Sequence, residues 1–474
     1  NLMEEYKMTI GIECHVQLNT KTKLFSGVDN DATDKEPNSC VSPIDYALPG
    51  MLPVLNKAAV EKAVRAGLAM NCKINLISRF DRKHYYYPDL PKGYQITQMY
   101  QPIIGAGAVH LPDGSTVKIE HAHLEEDAGK LTHFGSYSLV DLNRAGTPLI
   151  EIVSMPDIHS AAEALMYCEE LHQLMIYAGV IKGDLYQGNM RFDVNISVSK
   201  TDELGTRAEI KNLNSFRSVE KAVEYEFARQ TALLEKGEKV KQETRGWNDA
   251  SGKTTPQRSK EEAQDYRYMP EPDVPPVVLT QEFVDKIEHE MPMMPDEYRT
   301  RFDSLNLDAS EREAILNYPI LAKRLTEVCE KNVALAPRVA HWFSGILMAE
   351  ENVDKDYSLA TATELLELSE MVEKKELSST AGKEIFLEMY DRKNTSKTPH
   401  QLAKEKNHLQ ENDEEALGKI IDEVLAAPEC AKAAEDVRNG EMKAIGFLVG
   451  QVMKKSKGKA NPATVNELIK AKLS

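Results

Sequence analysis

Acidic side chains and a histidine alternate with apolar residues along the first predicted strand, residues 9–18. Successive side chains of a strand point to opposite faces, so Glu13 and His15 share one face and the apolar side chains share the other. A carboxylate and an imidazole two residues apart on one face can ligate a metal ion, and an exposed polar face is an equally ordinary interpretation. This motif alone leaves both interpretations open.

Further acids occupy comparable positions in later segments. The turn at residues 112–115 predicts a hairpin, and its return strand leads into a run of three acids that begins at Glu125. Glu151 interrupts an apolar run, where an unpaired buried carboxylate would cost several kcal/mol, so it needs a cation or a proton. Asp193 and Glu209 lie in two more predicted strands, among polar residues that alternate with apolar ones.

Several strands that each contribute one carboxylate, together with one histidine, suit Mg²⁺ or Mn²⁺ better than zinc and indicate phosphate chemistry. The alternative is a solvated sheet face on which acids pair with Arg and Lys; the patterns balance the two interpretations nearly evenly, and Glu151 favours a site. The sequence contains no G-x-x-x-x-G-K-[ST] loop, no complete dinucleotide fingerprint, and no G-x-S-x-G or H-E-x-x-H motif. ATP, if it binds, is held without a P-loop.

The composition excludes several classes of protein. The 474 residues include 58 Lys and Arg against 75 Asp and Glu, and this net charge of -17 excludes a protein that coats nucleic acid with its whole surface. No apolar run approaches the roughly 20 residues of a membrane helix and no secretory signal is visible, so we expect a cytoplasmic protein with no membrane partner. The six cysteines are scattered, which predicts reduced thiols rather than disulfides or a thiolate zinc site.

The C-terminal residues are basic although the rest of the chain is acidic. Residues 437–474 carry eight bases and two acids. Such a basic tip on an acidic body suggests a polyanion that is contacted at one end only. The alternative is a solvated lysine-rich terminus, which charge alone favours.

The chain divides into three predicted domains. The β-like alternation ends near residue 290, and two prolines in residues 291–296 indicate a linker. The chain is then mostly helical, with a second break at residues 394–399. The sequence therefore predicts an α+β protein with a mixed or antiparallel-sheet domain over residues 1–293, an all-helical domain over 294–398 and a small helical tail domain over 399–474.

Residues 80–95 combine three bases with four tyrosines in a segment that its Pro and Gly residues predict to be a loop. Aromatic rings among cations can stack on nucleobases while the cations meet phosphates. Tyrosines in a loop are also common packing caps, and both interpretations stay open.

Long motifs in register make the chain resemble the GatB family, the B subunits of the tRNA-dependent amidotransferases that act on Glu-tRNA(Gln) and Asp-tRNA(Asn). The resemblance extends from about residue 8 to the C-terminus. It is carried by residues 10–16 (IGIECHV), 80–83 (FDRK), 87–89 (YPD), 123–130 (HLEEDAGK), 141–151 (DLNRAGTPLIE), 211–215 (KNLNS), 266–268 (YRY) and 443–451 (KAIGFLVGQ).

The resemblance implies a division of labour. ATP, with Mg²⁺, phosphorylates the side-chain carboxylate of a misacylated tRNA in a cradle-shaped N-terminal domain. Ammonia that an amidase A subunit releases from glutamine then displaces the phosphate, in a heterotrimer completed by a small C subunit. The helical domains hold the tRNA. No zinc is expected, because the paired cysteines of the zinc site in some relatives are absent here.

The family's functional residues transfer to matching positions of this sequence. Catalytic and metal-binding roles fall on Glu13, His15, Glu125, Glu151 and Asp193, and Glu209 is a further metal ligand. Lys83, Lys92 and Glu126 match residues of the ammonia channel. The tail lysines expected to bind tRNA are Lys443, Lys454, Lys455, Lys457 and Lys459.

One segment departs from the family. Residues 186–189 read Tyr-Gln-Gly-Asn where the family usually carries Glu-Glu-Gly, so we expect no metal ligand there. Two other functions stay open: a non-catalytic tRNA-binding scaffold, and a free-standing carboxylate–amine ligase for a small molecule, which the tail domain makes hard to accept.

Overall fold

A computed structural model describes residues 5–182, 189–257, 265–349, 358–406, 408–409 and 414–474. The chain divides into two units, Asn1–Asp296 and Glu297–Ser474, and each is described by itself. The first unit contains the strands and the second is helical, which confirms the predicted α+β class. In the described part of the chain the last strand ends at Val278, close to the point where the alternation of the sequence stops.

The strands of the first unit are β1 (Lys7–Gln17), β2 (Ile77–Ser78), β3 (Asp81–His84), β4 (Tyr94–Thr97), β5 (Gly107–His110), β6 (Thr116–Glu126), β7 (Lys130–Phe134), β8 (Tyr137–Asp141), β9 (Pro148–Ser154), β10 (Met190–Ser199), β11 (Ala208–Leu213), β12 (Glu243–Asn248), β13 (Lys253–Pro256), β14 (Met269–Pro270) and β15 (Val277–Val278). Its helices are α1 (Lys57–Ala69), α2 (Ala161–Tyr177), α3 (Phe216–Glu235) and α4 (Gln281–Glu290).

A mixed sheet with the strand order β13-β12-β11-β10-β1-β9-β6-β5 forms the centre of this unit. Neighbouring strands are antiparallel except for the parallel pair β11 and β12. The central strand β1 buries Ile10, Ile12, Cys14 and Val16 on one face, as its alternation predicts. These side chains share one hydrophobic core with residues of α1, α2 and α3, so the face that carries Glu13 and His15 points away from those helices.

The segment predicted as a loop over residues 80–95 has no strand over residues 85–93, which connect two short strands, so the prediction was wrong only at the ends of the segment. Strands β3 and β4 pair antiparallel, and β14 adds a third strand. The prolines at positions 88 and 91 lie only in the connection, which leaves the flanking residues free to pair. The buried carboxylate of Asp81 accepts hydrogen bonds from the backbone N–H groups of Met99 and Tyr100 and anchors the end of the hairpin.

The helices of the second unit, of which α5 begins two residues before the boundary, are α5 (Pro295–Phe302), α6 (Ala309–Leu316), α7 (Pro319–Lys331), α8 (Ala336–Ala349), α9 (Ala362–Glu373), α10 (Ser379–Met389), α11 (Pro399–Glu405), α12 (Glu414–Ala426), α13 (Ala431–Arg438), α14 (Ile445–Lys455) and α15 (Pro462–Leu473). Helix α11 starts directly after Thr398, whose hydroxyl accepts from Gln401 N. Helices α12 to α15 share a core that includes Leu417, Leu448 and Ile469. A domain boundary at residue 398 stays a prediction.

The six cysteines are free, and five of them are buried. This agrees with the expected reduced thiols. Among the described residues, no helix is both long and apolar enough to cross a lipid bilayer.

Candidate functional site

The polar face of the large sheet carries the acids that the sequence predicts to be metal ligands. On β1, Glu13 lies opposite Asp193 of β10, and His15 lies opposite Glu151 of β9. On the far side of β9, Glu151 lies opposite His123 of β6. The register therefore brings side chains from five strands, including Glu209 of β11, to one surface.

Four of these side chains form a group that we call the histidine cluster: His15, His123, Glu125 and Glu151. His15 Nε2 lies 3.4 Å from Glu125 Oε1 and 3.6 Å from Glu151 Oε2. His123 Nε2 lies 3.3 Å from Glu125 Oε2 and 3.2 Å from Glu151 Oε2. The cation that Glu151 needs is thus supplied by two imidazoles.

Burial and ion pairing oppose each other in the histidine cluster. Burial alone would lower the pKa of His15, but the hydrogen bond and charge of Glu125 and the charge of Glu151 raise it to about 9. His123 responds in the same way and its pKa rises to about 10. Burial would raise the pKa of Glu125, whereas hydrogen bonds from His123 and His15 hold it well below its usual range. Without a metal ion this cluster is neutralised from within.

A second group, the carboxylate cluster, consists of Glu13, Asp193 and Glu209. One oxygen of each lies within 4.8 Å of one oxygen of the others, a spacing at which three carboxylates can share a cation. Lys211 Nζ stands at the edge of the cluster, 3.8 Å from Glu209 Oε1.

The carboxylate cluster has fewer positive charges nearby to balance its carboxylates than the histidine cluster has. Burial and then the charges of Glu151, Glu209 and Asp193 raise the pKa of Glu13 to about 7. Burial also raises the pKa of Asp193, and the charges of His15 and Lys211 only partly oppose this. Oxygen donors that repel one another in this way fit a hard divalent cation such as Mg²⁺.

The sequence predicts one cluster, whereas the strand order separates the six predicted ligands into two neighbouring groups of three, one in each cluster. The predicted ligand His15 falls in the histidine cluster and its strand neighbour Glu13 in the carboxylate cluster, because β9 flanks β1 on one side and β10 on the other. His123 was missed as a functional residue. Its position two residues before Glu125 on one strand places both on the same face, and that spacing could have revealed it.

A cavity of about 490 Å³ opens beside the histidine cluster. Its lining includes Lys83, His121, His123, Glu151 and Tyr268. Lys83 Nζ lies over the ring of Tyr266, 4.4 Å from its centroid. The rings of His121 and His123 stack with their centroids 5.3 Å apart.

The three consecutive acids at the end of β6 point to three different places. Glu125 belongs to the histidine cluster, while Glu126 points to the opposite face and forms a buried ion pair with Lys92. Burial raises the pKa of Glu126, and Lys92 offsets part of the rise. Asp127 returns to the polar face and contacts two arginines. The structure thus pairs two of the predicted channel residues, Lys92 and Glu126, whereas Lys83 lies on the cavity.

The tail lysines lie on and after the last turn of α14 and in the turn that precedes it. Lys455 pairs with Glu423 of α12 at 2.6 Å. Lys454 completes the same helix turn, Lys457 and Lys459 follow it, and Lys443 lies in a short turn before α14. These five lysines therefore lie near the two ends of one helix.

Of the segment that departs from the family, residues 186–188 lie outside the described part of the chain.

Sequence comparisons define the class of the protein. A family model described as the "GatB/GatE catalytic domain" matches residues 8–285. A second model, described as the "GatB domain", matches residues 324–473. The sheet with both clusters lies within the first match.

Full-length relatives agree with these matches. The chain is 46% identical to a protein of Thermodesulfovibrio yellowstonii and 43% identical to one of Thermotoga maritima, in both cases over 98% of each chain. It is 45% identical to a protein of Geotalea daltonii over 99% of each chain. Each of the three is named as the B subunit of an aspartyl/glutamyl-tRNA(Asn/Gln) amidotransferase. The chain belongs to the GatB family and is an amidotransferase subunit.

Proposed function

We propose that the chain uses ATP to phosphorylate the side-chain carboxylate of Glu-tRNA(Gln), Asp-tRNA(Asn) or both, and converts the acyl phosphate to an amide. The observation that carries the proposal is the pair of ligand clusters on one sheet face. Phosphoryl transfer needs carboxylates that hold divalent cations close to a nucleotide, and these clusters supply them.

The reaction has two steps, and both balance. An oxygen of the substrate carboxylate attacks the γ-phosphorus of ATP, and ADP leaves with the electrons of the broken P–O bond. Ammonia then attacks the acyl carbon, phosphate leaves with the electrons of the C–O bond, and one proton is lost to solvent. No covalent protein nucleophile is needed, so the protein acts through positioning and charge.

The residues present fit Mg²⁺. Glu13, Asp193 and Glu209 offer oxygen ligands whose mutual repulsion a divalent cation would relieve, and His15, Glu125 and Glu151 offer a second, mixed set. When bound, the ion would neutralise the charge of the transferred phosphoryl group. His123 would hold Glu125 and Glu151 in place through its 3.3 Å and 3.2 Å contacts.

Ammonia would come from a glutamine-hydrolysing amidase subunit, with a small third subunit completing the complex. The buried Lys92–Glu126 pair and Lys83 would line its path, where a polar wall interacts with ammonia and a closed ion pair acts as a gate. The helical domain over residues 294–398 and the tail domain over 399–474 would hold the tRNA, with Lys443, Lys454, Lys455, Lys457 and Lys459 against its phosphates. Such an enzyme works in the cytoplasm, where aminoacyl-tRNA is made.

The test uses the chain co-purified with its partner subunits. We expect Glu151→Gln to abolish ATP-dependent amide formation on misacylated tRNA while most glutaminase activity remains. Glu238→Gln on the exposed connection after α3 is the matched control and should change neither activity. Equal loss of both activities would contradict the proposal. Unchanged amide formation in Glu151→Gln would instead favour the scaffold function.

A further inference from the structure

A second and larger cavity, of about 1170 Å³, lies where β1 ends and β10 begins. Four cationic side chains line it: Arg144, Lys182, Arg191 and Arg217. No residue of the histidine cluster or of the carboxylate cluster lines this cavity. The function proposed above gives its arginines no role. A concave site with several cations fits an anionic ligand.

Two of these arginines are held by one buried carboxylate. Asp127 is only 6% exposed. Its Oδ2 accepts a hydrogen bond from Arg191 Nη2 at 3.0 Å and lies 3.4 Å from Arg144 Nε. Arg144 also donates to the backbone carbonyls of Ala128 and Gly129, at 3.0 and 2.8 Å. The two guanidinium groups are therefore fixed side by side before any ligand arrives.

The backbone around Asp127 is fixed as well. Asp127 N donates to Thr147 O at 2.9 Å, and Gly146 N donates to Asp127 O at 3.0 Å. Gly146 has a φ of +84°, and a Cβ there would lie 2.7 Å from Asp45 Oδ1, so this approach requires glycine. Gln17 Nε2 adds a hydrogen bond to Asp127 Oδ2 at 3.2 Å. Asp127 thus sits in a site built from three segments.

The arginines keep donors for a ligand. A guanidinium has five N–H groups. Among the residues that the structure describes, the contacts above use Nη2 of Arg191 and Nε and Nη2 of Arg144, and Nη1 of each arginine makes none of them. The first residues of the twenty-residue helix α3, Phe216 and Arg217, also line the cavity, so the positive end of its dipole adds to the same field.

The arginine pair lies beside the polar face of the large sheet, which carries the histidine cluster and the carboxylate cluster. Arg191 is the register partner of His15 across β1 and β10, and paired residues of antiparallel strands lie about 5 Å apart at their Cα atoms. Asp127 follows Glu125 by two residues on the same face. An anion held by Arg191 would therefore lie beside a cation held by the histidine cluster.

We propose that Arg144 and Arg191, held by Asp127, bind the phosphate groups of the nucleoside triphosphate. This rests on the proposed use of ATP and adds where the nucleotide sits. A mononucleotide fits a cavity of this size. Asp31, Glu169 and Glu220 also line the cavity, and a tRNA backbone, as the competing polyanion, is measured separately in the test below. Asp127 is a positioning residue, since it acts through the arginines.

The direct test measures equilibrium binding of a non-hydrolysable ATP analogue with Mg²⁺ to the complete complex. We expect Arg191→Gln and Arg144→Gln to weaken nucleotide binding about 10- to 100-fold, while affinity for misacylated tRNA stays unchanged. Arg207→Gln, at an exposed position directly before β11 in the same unit, is the matched control. Arg191→Lys should recover part of the affinity, because it keeps the charge and loses the planar fork.

Asp127→Asn tests the positioning role. It should raise the KM for ATP at least threefold and leave the KM for tRNA unchanged, a split that general loss of structure would not produce. Removing one arginine leaves Asp127 less compensated, so the double variant Asp127→Asn/Arg191→Gln serves as a second test if Arg191→Gln folds poorly. It should also bind nucleotide weakly.

Three outcomes would overturn the inference. These are unchanged nucleotide affinity in folded arginine variants, loss of tRNA affinity without loss of nucleotide affinity, and an unchanged KM for ATP in Asp127→Asn. In each case the proposed function would still stand if the wild-type complex binds the analogue and the Glu151→Gln variant forms no amide. Wild type that neither binds the analogue nor forms amide would instead remove the proposed function itself.

Discussion

The histidine cluster and the carboxylate cluster share one sheet face and differ in what neutralises their acids. In the histidine cluster two imidazoles, with pKa values of about 9 and about 10, compensate Glu125 and Glu151. In the carboxylate cluster burial and like charges raise the pKa of Glu13 to about 7, and Lys211 stands only at the edge. One cluster is complete in itself, and the other needs a cation.

This difference predicts different metal chemistry. An ion entering the histidine cluster must displace protons from imidazoles with pKa values of about 9 and about 10, so its binding depends on pH over a higher range than binding near Glu13, whose pKa is about 7. An ion entering the carboxylate cluster relieves repulsion that is already present, and hard oxygen ligands select Mg²⁺ or Mn²⁺. We therefore expect the carboxylate cluster to bind the first ion and the histidine cluster to bind a second one more weakly.

The largest expected effect is on catalysis. Asp193→Asn removes a ligand charge from the carboxylate cluster and should reduce ATP-dependent amide formation about 10²- to 10³-fold, the loss typical of removing a group that stabilises a charged transition state. Titration with Mn²⁺ followed by electron paramagnetic resonance should show that the tighter of two ions is lost. The control is Asp202→Asn on the exposed β10–β11 connection. Loss of the weaker ion instead would reverse the order of the two clusters.

The next effect is on stability, and it should have opposite signs in the two clusters. Without metal, Glu125→Gln leaves imidazolium groups short of a partner and should destabilise the first unit by about 3–5 kcal/mol. Glu13→Gln removes a repelled carboxylate and should stabilise it by about 1–3 kcal/mol at pH 8. Calorimetric unfolding in the presence of a chelator measures both. If both variants changed the free energy of unfolding in the same direction, the two clusters would not differ in how their charges are balanced.

The pH dependence of the metal-free protein should separate the clusters further. The Glu13 pKa rises from 4.5 to about 7, so the folded state keeps a proton that the unfolded chain loses, and stability falls as pH rises through this window. The His15 pKa rises from 6.5 to about 9, so its stabilisation is complete below pH 6.5 and is lost up to about pH 9.

Thermal midpoints between pH 4 and pH 9 test both windows. Glu13→Gln should reduce the lower fall and His15→Gln the upper one, to which His123, with its pKa of about 10, also contributes. Saturating Mg²⁺ should remove the lower fall in wild type. A wild-type midpoint that does not change with pH would contradict the assignment of these shifts.

Alternation along single strands was enough to predict the polar face, since Glu13, His15, Glu151 and Asp193 all lie where period two puts them. The division into two clusters could not be predicted, because it depends on which strand flanks β1 on each side. The run of acids at the end of β6 shows the same limit. Period two separates Glu126 from Glu125 and Asp127, but only the tertiary structure brings Arg191 to Asp127.

The hairpin of residues 81–97 was missed for a different reason. Its prolines and glycine predict a break, and they do break the chain, but only between the two strands. Composition averaged over sixteen residues hid two short runs of four that pair with each other. The partner strand β14 lies far along the chain, so no local pattern could reveal it.

The smallest expected effect concerns the one lysine beside the carboxylate cluster in the described structure. Lys211 Nζ, 3.8 Å from Glu209 Oε1, competes with any ion for the same charge. A partly exposed pair of this kind is worth about 0.2–1 kcal/mol, so Lys211→Met should tighten Mn²⁺ binding at the carboxylate cluster by roughly 1.4- to 5-fold. Affinity at the histidine cluster should stay constant, because its acids are compensated by their own imidazoles. If both affinities rise together, the clusters respond to one shared field, and the contrast between them would be a matter of position on the sheet rather than of separate charge balance.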